Sequence, residues 1–318
     1  MSKLNKKNYA VIGIKSVSSN WNADFEGRPQ TLPDGTIVAS DKALKYSIRR
    51  YLEEIGKKVL ILKSFKTVKG ELMPRSLEER YNFITNTEIA KETTTLDILE
   101  NIFSCDDIIQ FGVAFPITNH NISITGAVQI TEGFNKNKDA EIVDFSILSP
   151  FQNSKKEDAK NSTMGSRTVT DYASYAYTIS INPNNYNNYI GVLEKFEGYK
   201  QEDYEVLKDA CLKCATNLNS ASKRGCENEY AIFVECKDGT NAIMANLHEY
   251  IDYEMIDEKA ELNLNRLFDY LKDYEDMIDV VEIYINPYVI GLANKEVLKE
   301  LNTKVFNIIN KREIEKRD

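Results

Sequence analysis

The residues most able to do chemistry are three cations on one predicted helix. At about 100° per residue, Lys42, Lys45 and Arg49 fall within about 60° of one another, beside an apolar stripe. Cations in the first turns of a helix lie at the positive end of its dipole, which is mildly unfavourable. A bound phosphate would reverse that, because the free N–H groups and the cations would then face its oxygens. A solvated Lys/Arg face remains the alternative interpretation.

Other reactive side chains offer weaker patterns. Five cysteines include one Cys-x-x-Cys pair, Cys211 and Cys214, inside a helical pattern, and His120 and His248 are the only histidines. A structural zinc ion takes about four ligands, so we expect ordinary buried thiols in a reducing cytoplasm and no metal or cofactor. No nucleophile elbow or phosphate-binding Gly-rich loop occurs. Among the carboxylates, Asp24 in the loop after the first strand is the candidate for a catalytic group.

The charge is unevenly distributed along the 318 residues. The whole chain has 40 Lys and Arg against 49 Asp and Glu, a net charge of −9 that argues against a nucleic-acid partner. Residues 1–75, however, have fifteen basic and seven acidic side chains, a net of +8, and the remainder has −17. Such asymmetry favours a polyanion-facing surface on the basic part. No apolar run is long enough to cross a membrane and no signal peptide is visible, so we expect a cytoplasmic protein without a membrane partner.

The periodicities predict an α+β sheet domain with long insertions. Predicted strands cover 9–17, 57–65, 107–114, 121–130, 171–181, 229–236 and 280–285. Predicted helices cover 41–55, most of 76–103, 204–218, 263–274 and 295–309. A loop is expected over 18–37, a turn over 116–119, and a mobile polar loop in 131–167, especially at 135–138 and 153–161.

Four segments, in order, resemble one known family. The segment 38–49 resembles the Ser-x-x-x-Leu-Lys-x-x-Ile/Met-Arg first-helix motif of CRISPR-associated Cascade backbone subunits, the repeated "seven" subunits of the RAMP superfamily. The segments 108–112 and 123–129 resemble its hydrophobic-Phe-Gly and Thr-Gly-x-Val-Gln strands, and 164–181 its strand after the thumb. The segments 20–24 and 218–225 are similar to the type I-B branch in particular.

The resemblance implies an RRM-like (ferredoxin-like) palm, a single domain over 1–318 with insertions. These would be a loop or web at 18–38, a finger at 66–95 and a thumb loop at 131–165. The expected partners are the CRISPR guide RNA, a target DNA strand that pairs with the guide, further copies of the chain and other Cascade subunits. The subunit would grip the guide backbone without enzymatic activity and would form the helical backbone of the complex.

The resemblance also implies a role for individual residues. Guide phosphates would be contacted by the basic side chains of the first helix: Lys42, Lys45, Arg49 and Arg50. Phe111 and Gly112 would shape the palm beside the RNA. Gln129 would lead into the thumb, which Met164 and Gly165 would close. Asp24 lies where related type III backbone subunits place an RNA-cleaving Asp, so target-RNA cleavage through Asp24 is the alternative function.

Overall fold

The computed structural model describes residues 3–117, 120–152, 162–257 and 259–314, with the backbone alone at 149–152 and 162–164. The strands of this part of the chain are β1 (Asn8–Ser19), β2 (Val38–Ala39), β3 (Phe65–Val68), β4 (Glu71–Pro74), β5 (Gly112–Ile117), β6 (His120–Thr125), β7 (Val128–Ile130), β8 (Gly133–Asn135), β9 (Ile142–Gln152), β10 (Ser162–Ile181), β11 (Cys226–Cys236), β12 (Asp252–Ile256), β13 (Lys259–Asn263), β14 (Ile278–Ile285), β15 (Ile290–Ala293) and β16 (Thr303–Asn307). Its α-helices are α1 (Asp41–Glu54), α2 (Leu77–Thr85), α3 (Thr95–Ile102), α4 (Asp106–Phe111), α5 (Gln201–Asn217) and α6 (Asn265–Lys272). Three 3-10 helices cover Pro183–Tyr189, Leu247–Tyr250 and Lys295–Lys299.

A large mixed sheet forms the centre of the fold, which confirms the α+β prediction. Its strand order is β16-β14-β11-β1-β10-β8-β2, and β7 and β9 also pair with β10. Strand β1 runs antiparallel to both β10 and β11, whereas β14 and β16 are parallel. Smaller sheets are formed by β12, β13 and β15, by β3 with β4, and by β5 with β6.

Both faces of the central strands are covered. Ile12 and Ile14 of β1 belong to a core cluster that includes Leu44 of α1 and Leu207 of α5. Val11, on the opposite face of β1, belongs to a second cluster that includes side chains of α6. Because side chains alternate along a strand, one long strand supplies both cores.

Helix α1 forms where the sequence predicts it. Leu44, Ile48 and Leu52 recur at helical spacing and are fully buried, so the apolar stripe drives packing onto the sheet. Ser40 is the N-cap residue. Gly56 follows the last turn with φ of +82°, the left-handed conformation in which glycine commonly ends a helix.

The strand predicted over 57–65 is wrong. Residues 57–64 are irregular, although Val59, Leu60 and Leu62 are buried. The N–H groups of Leu60 and Ile61 donate to the Asp107 carboxylate, and the carbonyls of Val59 and Leu60 accept from Arg80. Side chains therefore satisfy the backbone groups that a neighbouring strand would otherwise pair.

Two further elements differ from their predictions. In the predicted strand 107–114, residues up to Phe111 form α4, and β5 begins at Gly112. The predicted strand 121–130 is divided into β6 and β7 at Gly126 and Ala127, while residues 118–119 of the predicted turn lie outside the described part. The predicted helix 295–309 is a short 3-10 helix followed by β16, because Thr303–Asn307 pairs with β14.

The polar segment 131–167 is mainly strand rather than loop. Strand β9 pairs with the first half of β10, from Ile142 opposite Thr170 to Gln152 opposite Ser162. Strand β10 is consequently twenty residues long and begins well before the predicted 171–181. Residues 153–161, expected to be a mobile loop, lie outside the described part.

The remaining predicted elements are confirmed. The helix predicted over 204–218 is α5, the one over 263–274 is α6, and the helical stretch 76–103 contains α2 and α3. The strands predicted over 9–17, 229–236 and 280–285 are β1, β11 and β14. In the described part of the chain no helix combines the length and the apolar character needed to span a membrane.

Candidate nucleic-acid interface

Three of the predicted site residues meet around one aromatic ring. The Phe111 ring, at the end of α4, lies 5.1 Å from the Arg49 guanidinium carbon and 5.8 Å from the Lys45 ammonium nitrogen. Phe111 is buried, and the two cations lie against its ring. Contacts of this length between a cation and an aromatic face are attractive and favour these positions of the two side chains.

Arg49 is also held by a buried carboxylate. Its Nε donates to Asp107 Oδ2 at 3.1 Å, and Asp107 is fully buried at the start of α4. Burial raises the pKa of Asp107, while the guanidinium and the N–H groups of Leu60 and Ile61 oppose that rise by stabilising the charged form. Arg49 therefore joins α1 to α4 and to the segment before β3, whatever else it contacts.

The other cations of α1 differ in how far they are neutralised. Lys45 Nζ lies 2.7 Å from Asp41 Oδ2, one turn earlier in the helix. Arg50 is exposed and pairs with Glu53 at 2.7 Å. Lys42 is exposed and makes no hydrogen bond or ion pair to any described residue, although the Glu132 carboxyl is its nearby opposite charge. Lys42 is thus the cation most available to an anion, and Lys45 can exchange Asp41 for one.

A cavity of about 280 Å³ lies beside the first turn of α1. It is lined by Ser40 and Lys42 of the helix start, by Trp21 of the preceding loop and by Lys223 of the loop after α5. Tyr46, which is 48% exposed, contributes an aromatic side chain. Lys42, the Tyr46 ring and the start of a helix make a surface suited to a phosphate and an adjoining base, whereas the Lys223 ammonium is engaged by two backbone carbonyls.

The N-cap residue of α1 is not used as a cap. The side chain of Ser40 makes no capping hydrogen bond; its hydroxyl donates instead to Asn22 Oδ1 at 2.6 Å. The same Asn22 oxygen accepts from the Ser40 backbone N–H at 2.7 Å. The loop before α1 therefore determines the position of the helix start. Ser40 gives the N–H groups of the first turn no side-chain acceptor, and the Glu132 carboxyl lies against the Asp41 backbone there.

The backbone at Gly112 lies so close to a neighbouring strand that only glycine fits there. Its φ is +67°, and a Cβ built on it would lie 2.1 Å from the carbonyl oxygen of Ile124. Gly126 meets the backbone of Phe111 and Gly112 just as closely. The Phe-Gly and Thr-Gly segments, matched separately in the sequence, thus fit against each other and hold the Phe111 ring under α1.

The remaining predicted residues lie on strands away from this cluster. Gln129 of β7 is exposed, and its amide donates to the Gly126 carbonyl at 3.0 Å. Gly165 is an exposed residue of β10 opposite Ile147. The backbone of Met164 is opposite Leu148, but its side chain lies outside the described part. Their roles toward RNA stay predictions.

Asp24 has a structural part in its loop. Its Oδ1 accepts from the backbone N–H groups of Glu26 and Arg28, at 2.9 Å each. The backbone N–H of Asp24 also donates to the Arg28 carbonyl at 2.8 Å. These bonds close a tight turn. Within the described ranges no three His, Cys, Asp or Glu side chains come together as a possible metal site.

The cysteines and one histidine are buried in the interior. All five thiols are free and buried, and burial raises the pKa of Cys214 to about 11 and that of Cys105 to about 12. His248 accepts or donates to Thr178 at 2.8 Å, and burial lowers its pKa to about 4. These groups are therefore mainly neutral at pH 7.

Two cations were missed by the sequence patterns. Lys223 Nζ donates to the carbonyls of Asn20 and Trp21 at 2.6 Å. Arg167 of β10 donates to the carbonyls of Ser18 and Ala221 at 3.3 and 3.2 Å. The similarity of 20–24 and 218–225 to one branch of the family was the available signal, since these are the two segments that Lys223 joins.

The fold and this surface define an α+β protein with a cationic helix face beside an open cavity. Residues 6–277 match the family model of the CRISPR-associated protein Cas7, and the chain belongs to the Cas7 family. One similar solved structure is a "CRISPR RNA-guided surveillance complex, pre-nicking", with TM-score 0.47 and 12% identity over 88% of this chain and 92% of the other. Another is a "CRISPR RNA-guided surveillance complex", with TM-score 0.42 and 11% identity over 86% and 88%. A search of curated proteins found no match.

The family match confirms the resemblance to backbone subunits. The matched region contains all four sequence segments and ends within the turn before β14. Assignment to the type I-B branch stays a prediction.

Proposed function

We propose that this chain binds CRISPR guide RNA along its backbone and assembles with further copies into the backbone of a Cascade-type surveillance complex. The observation that carries the proposal is the cationic face of α1. Lys42 lies at an open cavity, while Lys45 and Arg49 rest on the Phe111 ring. Membership of the Cas7 family supports assigning that face to guide RNA.

The contacts would be to phosphates rather than to base edges. Lysine and arginine bind the backbone without regard to sequence, as a subunit that accepts any guide requires. An RRM that reads bases stacks them on an open sheet face. Here the central strands are covered on one face by α1 and α5 and on the other by α6. The bases would therefore stay free to pair with a target DNA strand.

Four central strands and two helices support the proposal that this α+β fold contains an RRM-like palm. Along the chain β1, α1, β7, β10, α5 and β11 follow a βαββαβ order, and in space the strands run β11-β1-β10-β7. Both helices contribute to the same core cluster. The ferredoxin-like motif has the same chain order, which supports the proposal. The segments 18–38, 66–95 and 131–165 would be its web, finger and thumb.

Assembly would draw on the uneven charge. A net of +8 in residues 1–75 and −17 in the remainder would let copies attract one another where the two parts meet. Attraction between exposed charges weakens with salt, so we expect self-association and partner binding to be stronger at low ionic strength. The buried free thiols fit a reducing cytoplasm.

The experiment compares RNA recovered with purified variants. The charge reversal Lys42→Glu with Lys45→Glu should remove most co-purifying small RNA and leave the circular dichroism spectrum unchanged. Its matched control is Lys91→Glu with Lys195→Glu, which changes the net charge equally at exposed positions. Full RNA recovery with the first pair, or equal loss with both pairs, would refute the assignment of this face. Arg49 is unsuitable here, because its reversal would place a second negative charge beside the fully buried Asp107, whereas Asp41 beside Lys45 is 24% exposed.

A further inference from the structure

The Lys223 ammonium group holds the loop that precedes α1. It donates to two consecutive carbonyl oxygens, those of Asn20 and Trp21, at 2.6 Å each. It also lies 5.9 Å from the centroid of the Trp21 ring. Asn20 and Trp21 are buried residues, so removal of this donor would take one hydrogen bond from each of two carbonyl oxygens, which costs free energy.

The same loop is tied to Ser40, the N-cap residue of α1, by two routes. Asn22 accepts from the N–H and the hydroxyl of Ser40, at 2.7 and 2.6 Å. Trp21 Nε1 donates to the Tyr177 hydroxyl at 2.7 Å, and that hydroxyl donates to the Ser40 carbonyl at 3.4 Å. Residues 21 and 22 therefore transmit the position of the loop to the helix start.

We propose that Lys223 is a positioning residue for RNA binding. By satisfying the two carbonyls it holds residues 20–22 against Ser40, and so it sets where Lys42 meets a guide phosphate. The inference rests on the proposed function, but its structural half does not depend on RNA. Lys223 acts through the loop, since its own ammonium is already engaged by protein oxygens.

Neighbouring contacts should keep the segment folded when Lys223 is changed. The N–H of Asn20 donates to the Ser222 carbonyl at 3.1 Å, and the N–H of Val17 to the Gly225 carbonyl at 2.9 Å. The Gly225 N–H donates to the Ser19 hydroxyl at 3.0 Å. Lys223→Met keeps the aliphatic stem and removes only the donors and the charge, so it is the variant of choice.

The test uses the chain's single tryptophan and a labelled RNA. Trp21 is 1% exposed, and in Lys223→Met its emission should shift to longer wavelength as the loop opens. Binding of a fluorescent single-stranded RNA, measured by anisotropy at several salt concentrations, should weaken roughly tenfold with the salt slope unchanged. Lys195→Met, which removes an exposed charge elsewhere, should change neither quantity.

Three outcomes would overturn the inference, and they differ in meaning. Unchanged Trp21 emission would show that Lys223 does not hold the loop. A salt slope smaller by about 0.7 would make Lys223 itself a phosphate contact, since each neutralised phosphate of a single strand contributes that amount. Absence of RNA binding by the unmodified chain would refute the proposed function, and with it the positioning role, even where the emission shift is seen.

Discussion

The Arg49 side chain and the Asp107 carboxylate form an ion pair, 3.1 Å between Nε and Oδ2, across the contact of α1 with α4. The Asp107 side chain is completely shielded from solvent and the Arg49 side chain is 14% exposed. Asp107 also accepts two backbone N–H groups from residues 60 and 61. A single pair thus joins the candidate RNA-binding helix to two other segments.

Removing one partner of this pair should destabilise the fold strongly. Arg49→Met leaves a buried carboxylate without its cation, and we expect the free energy of unfolding to fall by about 3 to 5 kcal/mol. Urea denaturation measures it. The neighbouring Arg50→Met breaks an exposed pair with Glu53 and should cost about 1 kcal/mol or less. Equal effects of the two variants would contradict this account. Adding Asp107→Asn to Arg49→Met should give less than the summed loss.

Asp209 should make stability depend on acidity. Burial alone would raise its pKa, but hydrogen bonds from Lys213, Lys311 and Tyr51 outweigh burial and lower the pKa to about 2. A carboxyl group with a depressed pKa stabilises the fold above its unfolded pKa of about 3.9, and that stability is lost as pH falls toward 2. The Asp209 side chain is 26% exposed. After solvent screening we expect it to contribute about 1 to 2 kcal/mol to the free energy of unfolding at pH 7.

The check is the stability difference between the unmodified chain and Asp209→Asn. In urea denaturation this difference should be full at pH 7 and clearly smaller at pH 3. Asp238→Asn is the control, since Asp238 is 83% exposed and only 3.7 Å from Lys6; it should alter stability little. A difference for Asp209→Asn that grows as the pH falls would have the wrong sign.

Gly112→Ala should disrupt the approach of α4 to β6. The new Cβ would meet the Ile124 carbonyl oxygen at 2.1 Å, in a backbone with positive φ, and we expect a loss of about 3 kcal/mol or more. Gly56→Ala measures the cost of the positive φ alone, because an added Cβ at Gly56 would have nothing within 4 Å. It should lose about 1 kcal/mol. Thermal denaturation of both variants distinguishes the clash from the strain.

Asp24→Asn tests the alternative of target-RNA cleavage. The amide oxygen can still accept the two N–H groups that Asp24 now accepts, so the turn and the recovered RNA should be preserved. The assay incubates guide-loaded protein with a complementary RNA and Mg²⁺, and we expect no cleavage by either form. Cleavage by the unmodified chain that disappears in Asp24→Asn would favour the endoribonuclease instead.

Much of the fold followed from local patterns. Helix α1 was predictable because Leu44, Ile48 and Leu52 share one face and Gly56 suits the end of a helix. Strand β1 was predictable from its alternation. Segment 57–65 was not, because the group that satisfies its backbone is Asp107, about 47 residues further along the chain. Strand β9 was not predicted although Val143, Phe145 and Ile147 alternate with polar residues, because the polar runs on either side of it suggested one long loop.

The candidate site divides in the same way. The sequence by itself determined the family, through four motifs in order, and the grouping of Lys42, Lys45 and Arg49 on one helix face, because helical spacing is a local property. Only the tertiary structure decided which of these cations is available. It places Asp107 against Arg49, and it brings Lys223 to a loop 203 residues away. The Lys45–Asp41 pair is local, at helical i, i+4 spacing. The Arg49–Asp107 pair and the Lys223 contacts join distant segments, so no local periodicity contains them.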